Sequence, residues 1–395
     1  MTVLIVACSL ALVAWVGVLI APHQPHRTRE RLEADPAAPD DCSSVTVLIP
    51  ARDEAGSIGR VVGALAAQGS GLAVVVVDDE SGDGTADAAR AAATAAGDAL
   101  ELRVIAGRPL PAGWAGKLWA LEQGLAVVHR PFVLLLDADI EVAPGLVPTL
   151  LREARARDAS VVSLMAELRC TTFWERLLTP AFVLFFKLLY PFAWVADPRR
   201  RTAAAAGGCM LVRSDTLRAI GGFAAIRGAL IDDCTLAAAL KRTRPPIWLG
   251  MTHSVRSLRE YPELRDFWSM VSRSAFTQLK YSTALLLLAI VLMVLTLVAP
   301  VIGTIVAAAT GDMRLAALAL AGWLAMGAAY SPLVRFYGLP LAWALTLPAA
   351  GALFLAMTVS SAVRYWRGTR ASWKARAYER SEVGGSERGS GAPPS

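Results

Sequence analysis

Two aspartates, Asp137 and Asp139, lie at the end of the apolar run PFVLLLD at residues 131–137. Carboxylates at positions i and i+2 beside a strand end can share one Mg²⁺ or Mn²⁺, whose other ligands are waters and the oxygens of a diphosphate. Neutralising a diphosphate makes it a better leaving group, so the bond between a sugar and its phosphate can break. Considered alone, such a string could equally be two solvated acids in a loop that bind no metal. Its place after a second acidic strand end favours the metal site.

That second acidic string is VDDESGDGT at residues 77–85, which follows the apolar run AVVVV. Carboxylates at this strand end can hydrogen-bond a base or a ribose. Ser81 and Gly84 allow a tight turn that caps the following helix. Taken by itself, the string fits a capped turn without a ligand equally well.

A third string places Asp232 and Asp233 ahead of a helical stretch that runs to about Lys241. One of these acids can serve as the helix N-cap. Two adjacent acids, in a half of the domain that is otherwise poor in acid, also fit a general base with an orienting neighbour. We adopt the second interpretation.

The elements that must position these strings follow an α/β pattern from residue 45 to about 163. Apolar strands that alternate with helices indicate a parallel sheet covered on both faces. Ligands bind at the carboxyl edge of such sheets, so we expect the chemistry there. The predicted strands are 45–49, 73–78, 100–106, 131–137 and 159–164, with helices near 57–67, from about 85, from 117 and after 144.

The composition indicates a membrane protein, with 55% hydrophobic residues, 18% charged residues and a mean hydropathy of +0.47. Runs long enough to cross a bilayer lack any charged residue. This excludes a secreted domain, a disordered chain and a fibre. We predict an N-terminal anchor (1–22), a linker (23–43), a globular domain (44–281), three membrane helices (about 283–309, 315–333 and 339–363, within 282–363) and a basic, then disordered tail (364–395).

The charges flanking the first span predict its orientation. No basic residue precedes it, whereas Arg27, Arg29 and Arg31 follow it. This indicates an N-terminus outside and a cytoplasmic globular domain. One plus three spans would then put the basic tail outside, against the positive-inside rule. Either one span is re-entrant or the tail is an exception.

Three further features each allow more than one interpretation. Residues 173–196 carry charges and two prolines within an apolar stretch, so we predict an interfacial amphipathic segment; a buried helix of the domain is the alternative. The net charge of +6 includes basic residues interleaved with aromatic ones at 364–380, which favours lipid headgroups over nucleic acid. The five cysteines are scattered, which favours reduced, buried thiols over disulfides or zinc.

Taken in order, several strings across residues 44–281 resemble glycosyltransferase family 2. The residues that carry the resemblance are VLIPARDEAGSI (47–58), VVVVDDESGDGT (74–85), LLLDADI (134–140), GGCMLVRSDTLRAIGGF (207–223) and IDDC (231–234). GWAGKLWALEQGL (113–125), the early anchor and the C-terminal spans are most similar to hopene-associated (hopanoid biosynthesis) glycosyltransferases, which are related to ceramide and carotenoid glycosyltransferases.

The resemblance implies a GT-A fold, a Rossmann-like and mostly parallel α/β sheet, with inverting transfer from a UDP-sugar that depends on Mg²⁺ or Mn²⁺. It also implies roles for individual residues. Asp233 would deprotonate the acceptor, Asp232 would support it, and Lys117 would approach the diphosphate; a solvated lysine is the alternative for Lys117. The uridine pocket would contain Pro50, Arg52, Glu54 and Asp79, and Asp137 and Asp139 would flank the diphosphate, with Asp139 as the direct metal ligand.

One departure from the family bears on the acceptor. Processive and ceramide-type members carry Q/R-x-x-R-W before the membrane, but residues 270–274 read MVSRS and retain only Arg273. Arg273 can pair with the departing diphosphate, or it is an interfacial anchor. The missing tryptophan disfavours a polymerase and favours a single transfer.

We therefore predict a multi-pass enzyme of the bacterial inner membrane whose domain faces the cytoplasm. It would bind membrane lipids and a nucleotide-sugar, with no nucleic acid, and would glycosylate one lipid hydroxyl, of a hopanoid or a related polyisoprenoid lipid. One alternative is transfer to polyprenyl phosphate. Another is a non-catalytic subunit that handles lipids, although the intact acidic strings speak against it.

Overall fold

The computed structural model describes residues 1–38, 40–242, 246–368, 372–373 and 376–377. A sheet domain stands next to a set of long apolar helices. The strands are β1 Val45–Ala51, β2 Ala73–Asp78, β3 Glu101–Ala106, β4 Phe132–Leu136, β5 Ile140–Val142, β6 Val161–Glu167, β7 Cys209–Arg213, β8 Ile247–Ser257, β9 Ser372–Trp373 and β10 Arg376–Ala377. The helices are α1 Thr2–Ile20, α2 Ala55–Ala66, α3 Thr85–Ala96, α4 Gly116–Leu125, α5 Leu146–Ala156, α6 Phe173–Leu189, α7 Phe192–Ala196, α8 Ser214–Ala219, α9 Asp232–Lys241, α10 Leu264–Gln278, α11 Thr283–Met293, α12 Ala299–Thr310, α13 Met313–Phe336 and α14 Leu347–Trp366.

The main sheet has eight strands in the order β3-β2-β1-β4-β7-β6-β8-β5. Strands β1 to β4 pair in parallel, as the alternating pattern predicts, and β6 pairs in parallel with β8. Strand β7 lies antiparallel between β4 and β6, and β5 is antiparallel to β8. The predicted GT-A type, mostly parallel sheet is therefore confirmed, and three strands that the sequence pattern did not predict complete it.

The parallel pairing brings the first two acidic strings to one edge. Pro50 of β1 is in register with Val77 of β2, while Leu48 is in register with Leu135 of β4. All three strands therefore run out at the same side of the sheet, where Asp137 follows β4 directly.

Close packing of α4 on the sheet depends on Gly124. A Cβ atom there would lie 2.2 Å from Leu48 Cδ1 and 2.9 Å from Val77 Cγ2, and both of these side chains are buried. We expect Gly124→Ala to destabilise the fold by about 1–3 kcal/mol through overpacking, measured as a lower unfolding midpoint of the purified chain. Gly63→Ala in α2 is the matched control, since nothing lies within 4 Å of its Cβ position; it should stabilise by roughly 0.5–1 kcal/mol. An unchanged midpoint for Gly124→Ala would contradict the packing.

Within the part of the chain that the structure describes, four helices are long and apolar enough to cross a membrane: Thr2–Ile20, Thr283–Thr310, Met313–Phe336 and Leu341–Trp366. The one N-terminal and three C-terminal helices predicted from the sequence are thus present. The second contains a π turn at Val294–Val298, and Trp15 of α1 donates its indole Nε1–H to the Thr296 carbonyl of that turn at 2.9 Å. This bond ties the first helix to the C-terminal ones.

Both ends of the last apolar segment lie beside the sheet domain. Phe336, at the end of α13, stacks on His253 of β8 with 4.1 Å between the ring centroids. The Arg31 guanidinium lies 4.6 Å from the centre of the same Phe336 ring. After the segment, Arg364 donates to the Ser272 hydroxyl of α10 at 3.0 Å.

After Phe336 the chain turns back alongside α13 and extends only to about the middle of that helix. Residues Leu341–Thr346 form a 3₁₀ helix, and Trp323, in the middle of α13, donates its indole N–H to the Leu345 carbonyl at 3.1 Å. Helix α14 then returns, and Gly351 packs against Leu297 of the π turn. Both ends of this segment therefore lie on the side of the sheet domain.

Residues 173–196 form two helices, α6 and α7, that meet at Pro191. One face of α6 is buried, and Phe182 and Phe185 contact Phe354 of α14 with ring centroids 6.4 and 5.3 Å apart. The two large apolar side chains that remain exposed, Phe173 and Leu189, lie at the ends of α6. The helix thus joins the sheet domain to the membrane helices through one hydrophobic core, and its contact with lipid stays a prediction.

Candidate active site

A cleft of about 990 Å³, open to solvent, lies at the carboxyl edge of the sheet. Its walls come from β1, from the residue after β4, and from α4, α9 and α10. The cleft is lined by Pro50, Glu54, Ala115, Lys117, Leu118, Asp137, Ala138, Asp139, Ala229, Leu230, Asp232, Arg259 and Arg273. Seven of the ten residues that the sequence singled out are among them.

Lys117 joins the first and third acidic strings across the cleft. It lies in the first turn of α4, and its Nζ is 2.7 Å from Asp137 Oδ1 and 3.2 Å from Asp232 Oδ2. Burial disfavours the charged amine, but the two aspartates outweigh this effect and raise the pKa of Lys117. The solvated-lysine alternative is therefore wrong, since Lys117 is 18% exposed and paired with two acids.

Arg259 is a second cation in the cleft, and the sequence analysis missed it. Its Nε lies 3.2 Å from Asp139 Oδ2, and its guanidinium is 3.7 Å from Glu54 Oε1. Arg259 follows β8, a long strand that was not predicted, so no local pattern in the sequence indicated it.

The two aspartates of the D-x-D string provide part of a cation site. Among the described residues, no three histidine, cysteine or acidic side chains form a metal-binding group. Asp137 and Asp139 nevertheless line one cleft. Asp137 forms an ion pair with Lys117, and Asp139 forms one with Arg259. Such a pair of carboxylates fits a Mg²⁺ or Mn²⁺ ion that takes its remaining ligands from water and phosphate.

Asp233 follows Asp232 in the first turn of α9 and lines a smaller pocket beside the cleft, whose lining also includes Lys117 and Asp137. Its Oδ2 accepts a hydrogen bond from the Gly207 backbone N–H at 3.0 Å, and its Oδ1 accepts one from the Cys234 N–H at 2.7 Å. A Cβ atom at Gly207 would lie 3.1 Å from the Asp233 Cβ, so the close approach favours glycine there. The carboxylate is held in one orientation, as a positioned base requires.

The protonation of Asp233 predicts the pH dependence of the reaction. Burial, with a smaller contribution from the Asp232 charge, raises the pKa of Asp233 to about 6. Only the deprotonated form can accept a proton, so kcat/KM should be constant at neutral pH and fall as the pH drops through about 6. The pH profile of kcat/KM, which reports the pKa values of the free enzyme, checks this. A profile that stays flat down to pH values near the ordinary carboxyl pKa of roughly 4 would contradict it.

Arg52 and Asp79 do not line the cleft. Asp79 is fully buried, and its backbone N–H donates to the Ala51 carbonyl at 2.8 Å. Arg52 lies over it, with a guanidinium nitrogen 3.7 Å from Asp79 Oδ2 and hydrogen-bonded to the Asp79 carbonyl. Their expected role in a uridine pocket stays a prediction, and the arrangement supports an indirect one in which Asp79 orients Arg52.

Comparison with protein families gives a match over the sheet domain. Residues 46–221 match the family described as glycosyl transferase family 2. Over 117 residues, the chain is 34% identical to the succinoglycan biosynthesis protein ExoU of Rhizobium meliloti (strain 1021). That alignment covers 30% of this chain and 31% of ExoU, so the chain spans about a third of the length of this relative.

The solved structures that resemble the chain include the following two. One is the mannosyltransferase PcManGT from Pyrobaculum calidifontis in complex with GDP-Man and Mn²⁺, with 18% identity, a TM-score of 0.55 and coverage of 93% of this chain and 99% of that one. The other is glucosyl-3-phosphoglycerate synthase from Mycobacterium tuberculosis with Mn²⁺ and UDP-glucose, with 16% identity, a TM-score of 0.40 and coverage of 63% and 86%. The first match covers nearly the whole chain and agrees with the GT-A fold of the sheet domain. The glycosyl transferase family 2 match lies within that domain.

Proposed function

We propose that this protein transfers a single sugar from a nucleotide-sugar, in the UDP-hexose class, to the hydroxyl of a membrane lipid with inversion at the anomeric carbon. Asp233 removes the proton from the acceptor hydroxyl while the oxygen of that hydroxyl attacks the anomeric carbon. The bond from the anomeric carbon to the nucleoside diphosphate breaks, and the diphosphate leaves. Lys117 and Arg259 lie where they can pair with donor phosphates, and Arg273 lines the same cleft. The bound Mg²⁺ or Mn²⁺, held by Asp139 and Asp137, would neutralise the leaving diphosphate.

The observation that carries this proposal is the setting of Asp233. Its carboxylate is oriented by two backbone N–H groups, its pKa is raised, and it lies beside the carboxylates and cations suited to a metal–diphosphate pair. A base next to a diphosphate site fits direct displacement at the sugar, which inverts the anomeric centre. A helix cap alone would not need the second donor, Gly207, which lies 26 residues away in the sequence.

Helix α6 supports a lipid as the acceptor. It packs on the sheet domain with one face and against α13 and α14 with another, so the cleft is attached to the membrane helices without a flexible linker. Tyr190, at the end of α6, donates to Gln278 Oε1 at 3.2 Å, and Asp233 lies near enough to contribute to the raised pKa of Tyr190. A hydroxyl presented from the bilayer would thus reach the base between α6 and α10.

The path of the last apolar segment supports an inner-membrane topology with a cytoplasmic domain and tail. Phe336 contacts His253, and Arg364 contacts Ser272, so both ends of the segment face the sheet domain. We infer that Leu341–Trp366 is re-entrant. Arg364 and Arg367, at the end of α14, then lie on the same side as Arg27 and Arg29, as the positive-inside rule requires.

For the acceptor, we propose a hopanoid or a related polyisoprenoid alcohol. Incubating the purified chain in nanodiscs with UDP-hexoses, Mn²⁺ and a bacterial lipid extract should give UDP and one new lipid, larger by a single hexose. Mass spectrometry identifies the sugar and acceptor together. Product formed only with polyprenyl phosphate would favour that alternative acceptor. Absence of UDP release with every donor and lipid would favour the non-catalytic alternative.

A further inference from the structure

The carboxylate of Glu175 is buried at the start of α6, outside the cleft. Its Oε2 accepts hydrogen bonds from the Thr171 N–H and hydroxyl, both at 2.9 Å, and from the Thr172 N–H at 3.0 Å. Glu175 is fully buried. Although burial works in the opposite direction, these backbone and hydroxyl donors lower the pKa of Glu175 to about 2, so it is charged at neutral pH.

The second oxygen of Glu175 reaches a different part of the chain. Its Oε1 accepts the backbone N–H of Tyr261 at 3.0 Å, across 86 residues of sequence. Capping α6 needs only the three bonds to Thr171 and Thr172. The fourth bond fixes the segment that follows β8 to the first turn of α6.

That segment holds the cation that faces the D-x-D string. Arg259 pairs with Asp139, and the Leu258 N–H donates to the Asp139 carbonyl at 2.8 Å. The Tyr261 side chain contacts the Arg259 guanidinium, which is one of the influences on the tyrosine pKa. Moving Tyr261 would therefore move Arg259 relative to Asp139.

The same turn of α6 faces the membrane helices. Phe173 is 60% exposed, and its ring contacts Trp343, in the 3₁₀ helix before α14, at 5.9 Å between centroids. Glu175 is two residues away on the same turn. A short connection thus runs from the first turn of α6 through Glu175 and the Tyr261 backbone to Arg259 in the cleft.

We propose that Glu175 is a positioning residue that holds Arg259 at the place where the diphosphate of a nucleoside diphosphate binds. This inference rests on the proposed function, because it assumes a nucleotide donor in the cleft. Glu175 does not touch the donor itself; it acts through the Tyr261 backbone and the Arg259 guanidinium. Donor affinity consequently depends on how α6 is seated against the membrane helices.

The test measures binding of UDP with Mn²⁺ to the full chain in nanodiscs by calorimetry, and the donor KM and kcat alongside it. Glu175→Gln keeps the shape but loses the charge that the donors surround. We expect roughly tenfold weaker UDP binding and a similar rise in donor KM, the lower end of the effect of losing an outer-shell partner, with a smaller change in kcat. A purely structural role would instead lower the active fraction and leave both Kd and KM unchanged, which would overturn the proposal.

A double-mutant cycle tests the route through Arg259. In an Arg259→Gln background, Glu175→Gln should weaken UDP binding no further, because the residue through which it acts is already lost. Equal effects in both backgrounds would overturn the route. Glu153→Gln, on α5 and paired with Arg157, is the charge-matched control and should leave UDP affinity unchanged.

A second variant covers a failure of Glu175→Gln to fold, and binding by the wild type tests the proposed function. If Glu175→Gln does not fold, Thr171→Val removes one hydroxyl donor to the carboxylate and should weaken UDP binding in the same direction; unchanged binding in that variant would overturn the proposal. If the wild-type chain binds no UDP, GDP or other nucleoside diphosphate with Mn²⁺, the proposed function fails, and this inference fails with it. Normal binding by the wild type and by Glu175→Gln overturns the inference alone.

Discussion

Asp233→Asn should lower kcat for sugar transfer by about 10²–10⁴-fold while UDP affinity changes by no more than about twofold to threefold. The amide cannot accept the proton of the acceptor hydroxyl. The Asp233 carboxylate makes no ion pair with Lys117, which instead binds Asp137 and Asp232, so the cation that faces the donor stays in place. Single-turnover transfer from a radiolabelled donor, with UDP binding measured separately, checks both parts.

A matched control and a distinct acceptor sharpen this experiment. Asp215→Asn, on α8 and 68% exposed, removes an equal charge far from the cleft and should leave kcat unchanged. Full activity of Asp233→Asn on a lipid alcohol would refute its assignment as the base. Unimpaired turnover on polyprenyl phosphate alone would favour that acceptor, because a phosphate is already anionic and needs no strong base.

Asp139→Asn should abolish the metal-dependent part of nucleotide binding. A neutral amide is a poor substitute for a carboxylate ligand of Mg²⁺ or Mn²⁺. We expect UDP affinity in the presence of Mn²⁺ to fall on the order of 100-fold, at the top of the range for lost outer-shell partners because this residue would bind the ion itself. UDP affinity without metal should change little. Calorimetry with and without Mn²⁺ measures the two UDP affinities, and the electron paramagnetic resonance signal of bound Mn²⁺ measures binding of the ion.

The control for this variant lies two residues further on. Glu141 on β5 pairs with Arg60 at 2.9 Å and does not line the cleft. Glu141→Gln removes the same charge two residues away, outside the lining of the cleft, so its Mn²⁺-dependent UDP affinity should equal that of the wild type. If Asp139→Asn also retained the full effect of Mn²⁺, the cation site would have to lie elsewhere.

Local patterns in the sequence predicted most of the sheet domain. Runs such as AVVVVD and PFVLLLD are continuous apolar segments that end in acid, and this order recurs because a buried parallel strand must end in a polar loop. The five predicted strands and the four long apolar helices are present. Strands β5, β7 and β8 were missed, since they pair antiparallel or outside the regular alternation, where no local period indicates them.

The residues of the candidate site also fall into those that local patterns identified and those that they did not. Asp137, Asp139, Asp232 and Asp233 could be identified because each belongs to a short acidic string. Arg259 could not, because one arginine after an unpredicted strand has no local signal; only the pairing of β5 with β8 brings it to Asp139. Arg52 and Asp79 were expected in the donor pocket, yet they lie outside the lining of the cleft.

By itself, the sequence determined which segments are apolar enough for a membrane, which strands carry acid at their ends, and that a glycosyltransferase-like order of motifs is present. These properties depend on residues that are near one another in the chain. The tertiary structure decided that Lys117 bridges two acidic strings, that Glu175 holds Tyr261, and that the last apolar segment returns to the side on which it began. Each of these depends on contacts between residues far apart in sequence, whose free energy no local pattern records.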